Sequence, residues 1–489
     1  MNKVLASVVV CCCMLLILQS CDNYGSMYST SVNPEYSDNV TGEKYDTIVE
    51  NPFVDVREQP VSTFSIDCDG GSYSNMRRLL NSGSAVPANA IRTEELVNYF
   101  QYNYPEPAGA PVGVSGELCI CPWNTEHKLI RIGIKGRSIA REQMPNSNIV
   151  LLIDVSGSMS DDDKLPLIKK ALTTYFVPQM RERDKLAIVT YAGADRLALG
   201  STSGSNKQAI INAINGLGAG GGTAGAKGIT SAYDIARQNF IEGGNNRVIL
   251  LTDGDFNIGV NSTDDLVKLI EEKRKTGIFL STIGVGTGNY NDAMMEQIAD
   301  HGNGIYEYMD DMYQAKKMFA DEYSKYYTVA KDVKVQVVFN PQIVKQYRLI
   351  GYENRILSKE QFTDDSTDAG DISAGQTVTA LYEIETVPYR TDLSVETTFT
   401  IDFRYKEPNS TTSVPLSLDI HDYNVPFASA SEDTRFASSV AALGLILRDS
   451  KYKGTATKAD VQKWATAART FDPNNYRSDF ISLLAKVNK

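Results

Sequence analysis

Ile149-Val150-Leu151-Leu152-Ile153-Asp154-Val155-Ser156-Gly157-Ser158-Met159-Ser160 is the stretch on which the fold turns. Its consecutive aliphatic residues suit a parallel strand covered on both faces, and they end on one aspartate and two spaced hydroxyls. The end of such a strand in an open α/β sheet is where ligands bind. Asp154, Ser156 and Ser158 offer only oxygen. The natural guest is therefore a hard divalent cation: Mg²⁺, with Mn²⁺ and Ca²⁺ as alternatives.

The chain supplies more oxygen downstream. Gly218-Ala219-Gly220-Gly221-Gly222-Thr223-Ala224-Gly225 presents one hydroxyl where glycines let the backbone approach closely. Arg247-Val248-Ile249-Leu250-Leu251-Thr252-Asp253-Gly254-Asp255 is a second buried strand ending in a carboxylate. Taken singly, these are a capping turn, a flexible loop and a tight turn. Taken in order, D-x-S-x-S, G-G-T and L-T-D-G resemble the metal-ion-dependent adhesion site of the von Willebrand factor type A (VWA) family. That resemblance implies a site of Asp154, Ser156, Ser158, Thr223 and Asp253. It further implies that the serines and threonine bind Mg²⁺ directly, that an aspartate acts through water, and that a carboxylate of a protein partner completes the coordination sphere.

At 489 residues the chain has room for several domains. Lys+Arg 48 against Asp+Glu 60 leaves a net charge of −12. No basic stripe is visible, which argues against a nucleic-acid partner. Lys3 precedes an apolar stretch from Val4 to Leu18, short for a membrane span and suited to a signal peptide. It ends Leu18-Gln19-Ser20-Cys21, which resembles a bacterial lipobox, although Gln19 is an unusual residue there. The resemblance implies cleavage before Cys21, lipidation of its sulfur and a place in the cell envelope, with the outer membrane as the default. Several acyl chains anchor stably where one is marginal. Beyond the signal and anchor remain Cys68, Cys119 and Cys121. Either of the last two could meet Cys68 across a sheet, and buried free thiols are the alternative. Three histidines and no H-E-x-x-H argue against a zinc hydrolase.

Composition divides the rest. Residues 1–20 read as the signal peptide and 21–60 as the lipidated cysteine with a flexible, polar tether, which would reach roughly 35 Å. Residues 61–145 form an N-terminal flank. It holds a strand near Ser62–Asp67, short helices over 72–83 and 91–100, and two strands over 115–136. The VWA segment spans 146–327. Its helices near 164–177, 206–216, 224–240, 263–276 and 291–300 alternate with strands, which predicts a doubly wound, mainly parallel α/β sheet. Residues 328–425 are β-rich, and 426–489 carry C-terminal helices. Strands on both sides of the VWA segment predict a β-sandwich-like domain built from segments before and after it. The flanks F-S-I-D-x-D, S-Y-S-N-M-R-R-L-L-N-S-G and A-G-Q-T-V-T-A-L-Y-E-I resemble a bacterial VWA lipoprotein family. Cys68 stands where that family carries valine, and Gln376 where it often has histidine.

These readings combine into an expectation: a lipid-anchored, extracytoplasmic, metal-dependent binding module, not an enzyme, whose partner presents Asp or Glu. A fold-stabilising metal site on a structural protein, and a VWA subunit of an ATPase assembly, are the rival readings. The loops Asp161–Lys164, Tyr191–Arg196, Asp255–Thr263 and Thr287–Asp292 are the expected partner contacts.

Overall fold

The aliphatic runs lie side by side, as strands buried on both faces must. In the computed structural model, which describes residues 37–38, 42–192, 194–222, 225–254, 263–288, 290–388, 396–408 and 410–488, they form a six-stranded sheet. Its strands are β1 (Ser147–Asp154), β2 (Lys185–Ala192), β3 (Ala194–Ser203), β4 (Asn245–Thr252), β5 (Phe279–Gly284) and β6 (Tyr306–Tyr308). The order is β3-β2-β1-β4-β5-β6, parallel except that edge strand β3 returns antiparallel to β2. Strand order reverses between β1 and β4, and that is where such a sheet opens a crevice. Ile153 pairs with Leu251, so Asp154 and Thr252-Asp253 leave the sheet at the same level.

Alternation along each strand divides the core. Ile149, Leu151 and Ile153 join Ile249 and Leu251 on one face, while Val150 and Leu152 join Val248 and Leu250 on the other. The second face is covered by the helices Gly225–Gln238, Thr263–Arg274 and Asp292–Asp300. Leu165–Ala171 and Lys207–Asn215 cover the first. β3 and β6 were not anticipated from the sequence.

Two antiparallel sheets form the sandwich. One runs Ile356–Leu357, Val61–Ser65, Thr328–Phe339, Thr397–Lys406, Ser413–His421, with Ile372–Ser373 paired to Thr328–Phe339. The other runs Val54–Asp55, Val344–Ile350, Thr377–Thr386, Lys128–Gly136, Val112–Ile120. Phe64, Val337 and Phe403 of the first share a core with Ile132, Val378 and Tyr382 of the second. The Phe64 and Tyr382 rings stand 6.2 Å apart, and Ser62 Oγ lies 2.9 Å from the Tyr382 hydroxyl. The chain leaves this sandwich at Gly136 and re-enters it at Thr328, so the α/β sheet is an insertion. Gly71–Ser82 and Thr93–Asn98 join the C-terminal helices Glu432–Leu447, Lys458–Thr466 and Tyr476–Leu483 in a separate core over Leu129 and Leu381 of the second sheet.

The tether expectation needs correction. Residues 42–60 are laid along the folded body rather than left free: Tyr45 and Val56 are fully buried, and Val54–Asp55 pairs with Val344–Ile350. The Tyr45 hydroxyl donates to Glu43 and accepts from Asn75. Two well-placed apolar side chains anchor a segment whose overall composition is polar. The expected signal peptide and lipidation site, residues 1–20 and Cys21, lie outside the described residues. Cys68, Cys119 and Cys121 are all free thiols. No helix among the described residues is long and apolar enough to cross a membrane.

Candidate functional site

The site is built where β1 and β4 run out. Asp154, the last residue of β1, is fully buried, and three donors fix its carboxylate. Oδ1 accepts the Ser156 N–H at 2.9 Å. Oδ2 accepts the Tyr191 hydroxyl at 3.0 Å and Thr252 Oγ1 at 2.9 Å. Ser156 and Ser158 turn their hydroxyls to the same place, with the two Oγ atoms 3.1 Å apart.

The glycine loop closes one side. Gly220 N–H donates to the Val155 carbonyl at 2.8 Å, and Gly157 N–H donates to the Gly221 carbonyl at 3.1 Å. Gly221 has φ +95°, which any Cβ would strain. Thr223, expected to add a third hydroxyl, lies outside the described residues, as does most of the loop Asp255–Thr263.

Asp253 closes the other side. It is buried, and its Oδ2 accepts from Lys164 Nζ at 3.0 Å. Thr252 Oγ1, which donates to Asp154, accepts the Gly254 N–H at 3.2 Å. Gly254 has φ +81°, and a Cβ there would sit 2.6 Å from the Asn291 backbone nitrogen. Only glycine fits this turn, which accounts for the T-D-G run.

Electrostatics at the strand ends favour a cation. Burial pushes the Asp154 carboxyl above its ordinary value and the like charge of Asp253 adds to this, while the N–H and hydroxyl donors of Ser156 and Thr252 oppose it. Burial, then Asp154, holds the Tyr191 phenol well above its usual range, so it stays a donor. The described donors are all oxygen, which fits Mg²⁺, Mn²⁺ or Ca²⁺ better than a softer ion. Gly157 is exposed and Ser158 half-buried, so the site reaches the surface on the Ser158 side while Ser156 lies buried behind it.

Two of the expected partner loops are revised. Tyr191 belongs to β2 and is fully buried beneath Asp154, so it cannot meet a partner. Lys164 is buried too, folded back onto Asp253, whereas Asp161 and Asp162 beside it are exposed. Sequence reasoning missed Lys164 and Thr252 as parts of the site. Thr252 stood beside a recognised aspartate, at the point where the strand's alternation turns inward. Lys164 gave no signal beyond its place at a helix start.

Comparison with known proteins places these observations in a family. Residues 148–321 match the von Willebrand factor type A domain, residues 39–131 match a von Willebrand factor family, and residues 324–489 match the C-terminal region of YfbK. Over 470 residues the chain is 42% identical to the uncharacterized protein YfbK of Escherichia coli K12, covering 90% of this chain and 80% of that one. The uncharacterized protein sll0103 of Synechocystis is 27% identical over 198 residues, 40% of this chain and 45% of its own. Among solved structures, a von Willebrand factor type A protein from Catenulispora acidiphila has a TM-score of 0.45 and 17% identity, covering 79% of this chain and 91% of that chain.

Proposed function

Because this chain belongs to the von Willebrand factor type A family, in company with YfbK, we propose that it is a metal-dependent protein-binding module, lipid-anchored in the cell envelope through Cys21. Domains of this family are interaction modules that use a divalent metal at the adhesion site. The observation that carries the reading is the meeting of Asp154, Ser156, Ser158 and Asp253 at the reversal of strand order between β1 and β4. These oxygens, with Thr223, would hold Mg²⁺, and the ion when bound supplies a coordination position for an Asp or Glu of the partner. Hydroxyl ligands add no charge, so the site keeps its attraction for an incoming carboxylate. Tyr191 and Thr252 act as positioning residues, holding Asp154 in one orientation. The exposed Asp161 and Asp162 at the rim, and the loop that begins at Thr287, would set specificity. On this reading the chain captures a partner and does not turn over a substrate.

The test is capture of envelope proteins by the full chain in Mg²⁺, in EDTA, and by Asp154→Asn in Mg²⁺. A partner held by the wild type with metal, and lost at least about 100-fold in the other two conditions, is the expected result. Equal capture in all three moves the function to the flanking domain. Labelling with a radioactive fatty acid should mark the wild type and leave Cys21→Ala unmarked; a labelled Cys21→Ala would sink the anchor.

A further inference from the structure

Residues 42–46 belong to the stretch expected to be a free tether, yet they are docked on the loop that follows β5. The Lys44 N–H donates to the Tyr290 carbonyl at 2.9 Å, and Lys44 pairs with Asn291 as an isolated parallel bridge. Gly42 has φ +78°, and a Cβ there would stand 2.6 Å from the Gly288 carbonyl oxygen, so this close approach requires glycine. Glu43, 1% exposed, accepts the Gly288 N–H at 3.4 Å and pairs with the Arg78 guanidinium at 2.8 Å. Asp46 Oδ2 accepts Gln297 Nε2 at 3.1 Å, on the helix Asp292–Asp300. Backbone, side-chain and ion-pair contacts together make this segment a strap rather than a linker.

The loop under the strap leads to the strand-tip site. Gly286 has φ +78°, and its backbone lies against the stem of Lys164: a Cβ there would meet Lys164 Cε at 2.5 Å and Cγ at 2.6 Å. Tyr308 fixes Gly286 in turn, donating to its carbonyl at 2.6 Å. The Arg78 guanidinium that pairs with Glu43 stands 5.4 Å from the Tyr308 ring. The far end of the same lysine is the ammonium on Asp253 Oδ2. Contacts therefore run from the strap through the loop to Lys164, and so to Asp253. Such a chain carries coupling where one of its elements has two arrangements. A short strap, docked or lifted, supplies them.

We propose that residues 42–46 are an autoinhibitory clasp on the strand-tip site. Docked, the strap presses the loop onto Lys164 and keeps the ammonium on Asp253, where it competes with the divalent ion. Lifted, it frees the loop. The lysine stem loses the Gly286 backbone that covers it and swings its charge into water, which opens Asp253 to Mg²⁺. The inference rests on the reading of the strand tips as a metal site and adds a control to it. Coupling is reciprocal, so an ion that displaces the ammonium also loosens the strap.

The experiment measures Mg²⁺ affinity of the full chain by calorimetry, with the strap intact and with Gly42→Val/Lys44→Pro. Valine strains the approach to Gly288, and proline deletes the N–H that reaches Tyr290. Binding should tighten about tenfold, the coupling expected of one displaced ammonium. In the Lys164→Met background the same two substitutions should change nothing, because the charge through which the strap acts is gone. Hydrogen exchange reads the clasp without altering the strap. Saturating Mg²⁺ should speed exchange of the Lys44 amide about tenfold in the wild type and leave it unmoved in Lys164→Met. This second measurement decides the matter if the strap variant fails to fold. Mg²⁺ binding that is unchanged or weaker on strap release, or that tightens equally in Lys164→Met, overturns the clasp and leaves the metal site standing. So does a Lys44 amide indifferent to Mg²⁺ in the wild type. No Mg²⁺ binding by any of these chains overturns the metal reading and the clasp together.

Discussion

The strand tips and the seam between the N-terminal flank and the α/β domain, where Arg92 meets Glu95, Asp292 and Glu296 and Arg355 meets Asp67, Asp69 and Asp300, both gather carboxylates that few other charges offset. They manage them in opposite ways. At the tips Asp154 is held by uncharged donors, the Ser156 N–H and the hydroxyls of Tyr191 and Thr252, with one lysine on Asp253. At the seam the donors are guanidiniums, each shared by three carboxylates. Neutral donors fix a carboxylate without spending its charge, so the tip remains attractive to a cation and, through it, to a partner. A guanidinium grips several carboxylates at once by charge as well as by hydrogen bonds, which suits a joint that should stay shut. The same residue types thus serve exchange in one region and attachment in the other.

Removing a seam arginine should break that contrast most violently. Arg92→Ala leaves Glu95, Asp292 and Glu296 buried without their shared cation. Breaking a buried pair of this kind costs about 3–5 kcal/mol, read as a lower midpoint in urea unfolding. A loss under about 1 kcal/mol would put Arg92 in the class of surface pairs and remove the seam's holding role.

The pH axis sharpens the comparison next. Glu94, beside the seam, is 2% exposed, and its Oε2 has no hydrogen-bond partner. Burial, then Glu353 and Asp67, pushes its carboxyl up to about 8. The fold therefore favours the protonated acid. Its stabilising contribution is complete below the unfolded value, about 4.5, and is lost as the pH rises through about 8. Glu94→Gln should match the wild type at acid pH and exceed it by about 2–4 kcal/mol at alkaline pH, measured by denaturation at both ends. A parallel pH profile for the two proteins would show that Glu94 titrates alike in the folded and unfolded chain, and that burial does not hold its proton.

The two regions also differ in how far the sequence announced them. The tip was legible because its chemistry is local. Asp154, Ser156 and Ser158 occupy one turn after one aliphatic strand, and Asp253 repeats the arrangement. The doubly wound sheet and the interrupted sandwich were legible for a similar reason, since period and run length mark each strand before its partners are known. The seam was not. Arg92 meets Asp292 across 200 positions, and Glu94 and Glu95 read as ordinary acidic residues of a helix's first turn. Edge strands were missed as well: Ala194–Ser203 and Ser413–His421 are polar enough on their open sides to pass for loops. The tether was drawn too long because composition averages over a segment, while Tyr45 and Val56 act one at a time.

Lys164 is where the two strategies meet, and it gives the smallest and most discriminating prediction. It is the one cation paired with a strand-tip carboxylate among the described contacts, buried beside Asp253 with Nζ at 3.0 Å from Oδ2. Its second acidic neighbour, Asp161, is exposed and 3.9 Å away, too loose to hold the ammonium elsewhere. An ammonium here competes with a divalent ion for Asp253 and repels it from close range. Lys164→Met keeps the aliphatic stem in its packing and deletes the charge. Mg²⁺ binding to the full chain should then tighten roughly tenfold by calorimetry, the size expected of one nearby charge screened by a polar site. Weaker Mg²⁺ binding would mean that the lysine orients Asp253 for the ion, as Tyr191 and Thr252 orient Asp154. The tip would then share the seam's reliance on a buried cation, and the division between neutral and charged support would fail at this residue.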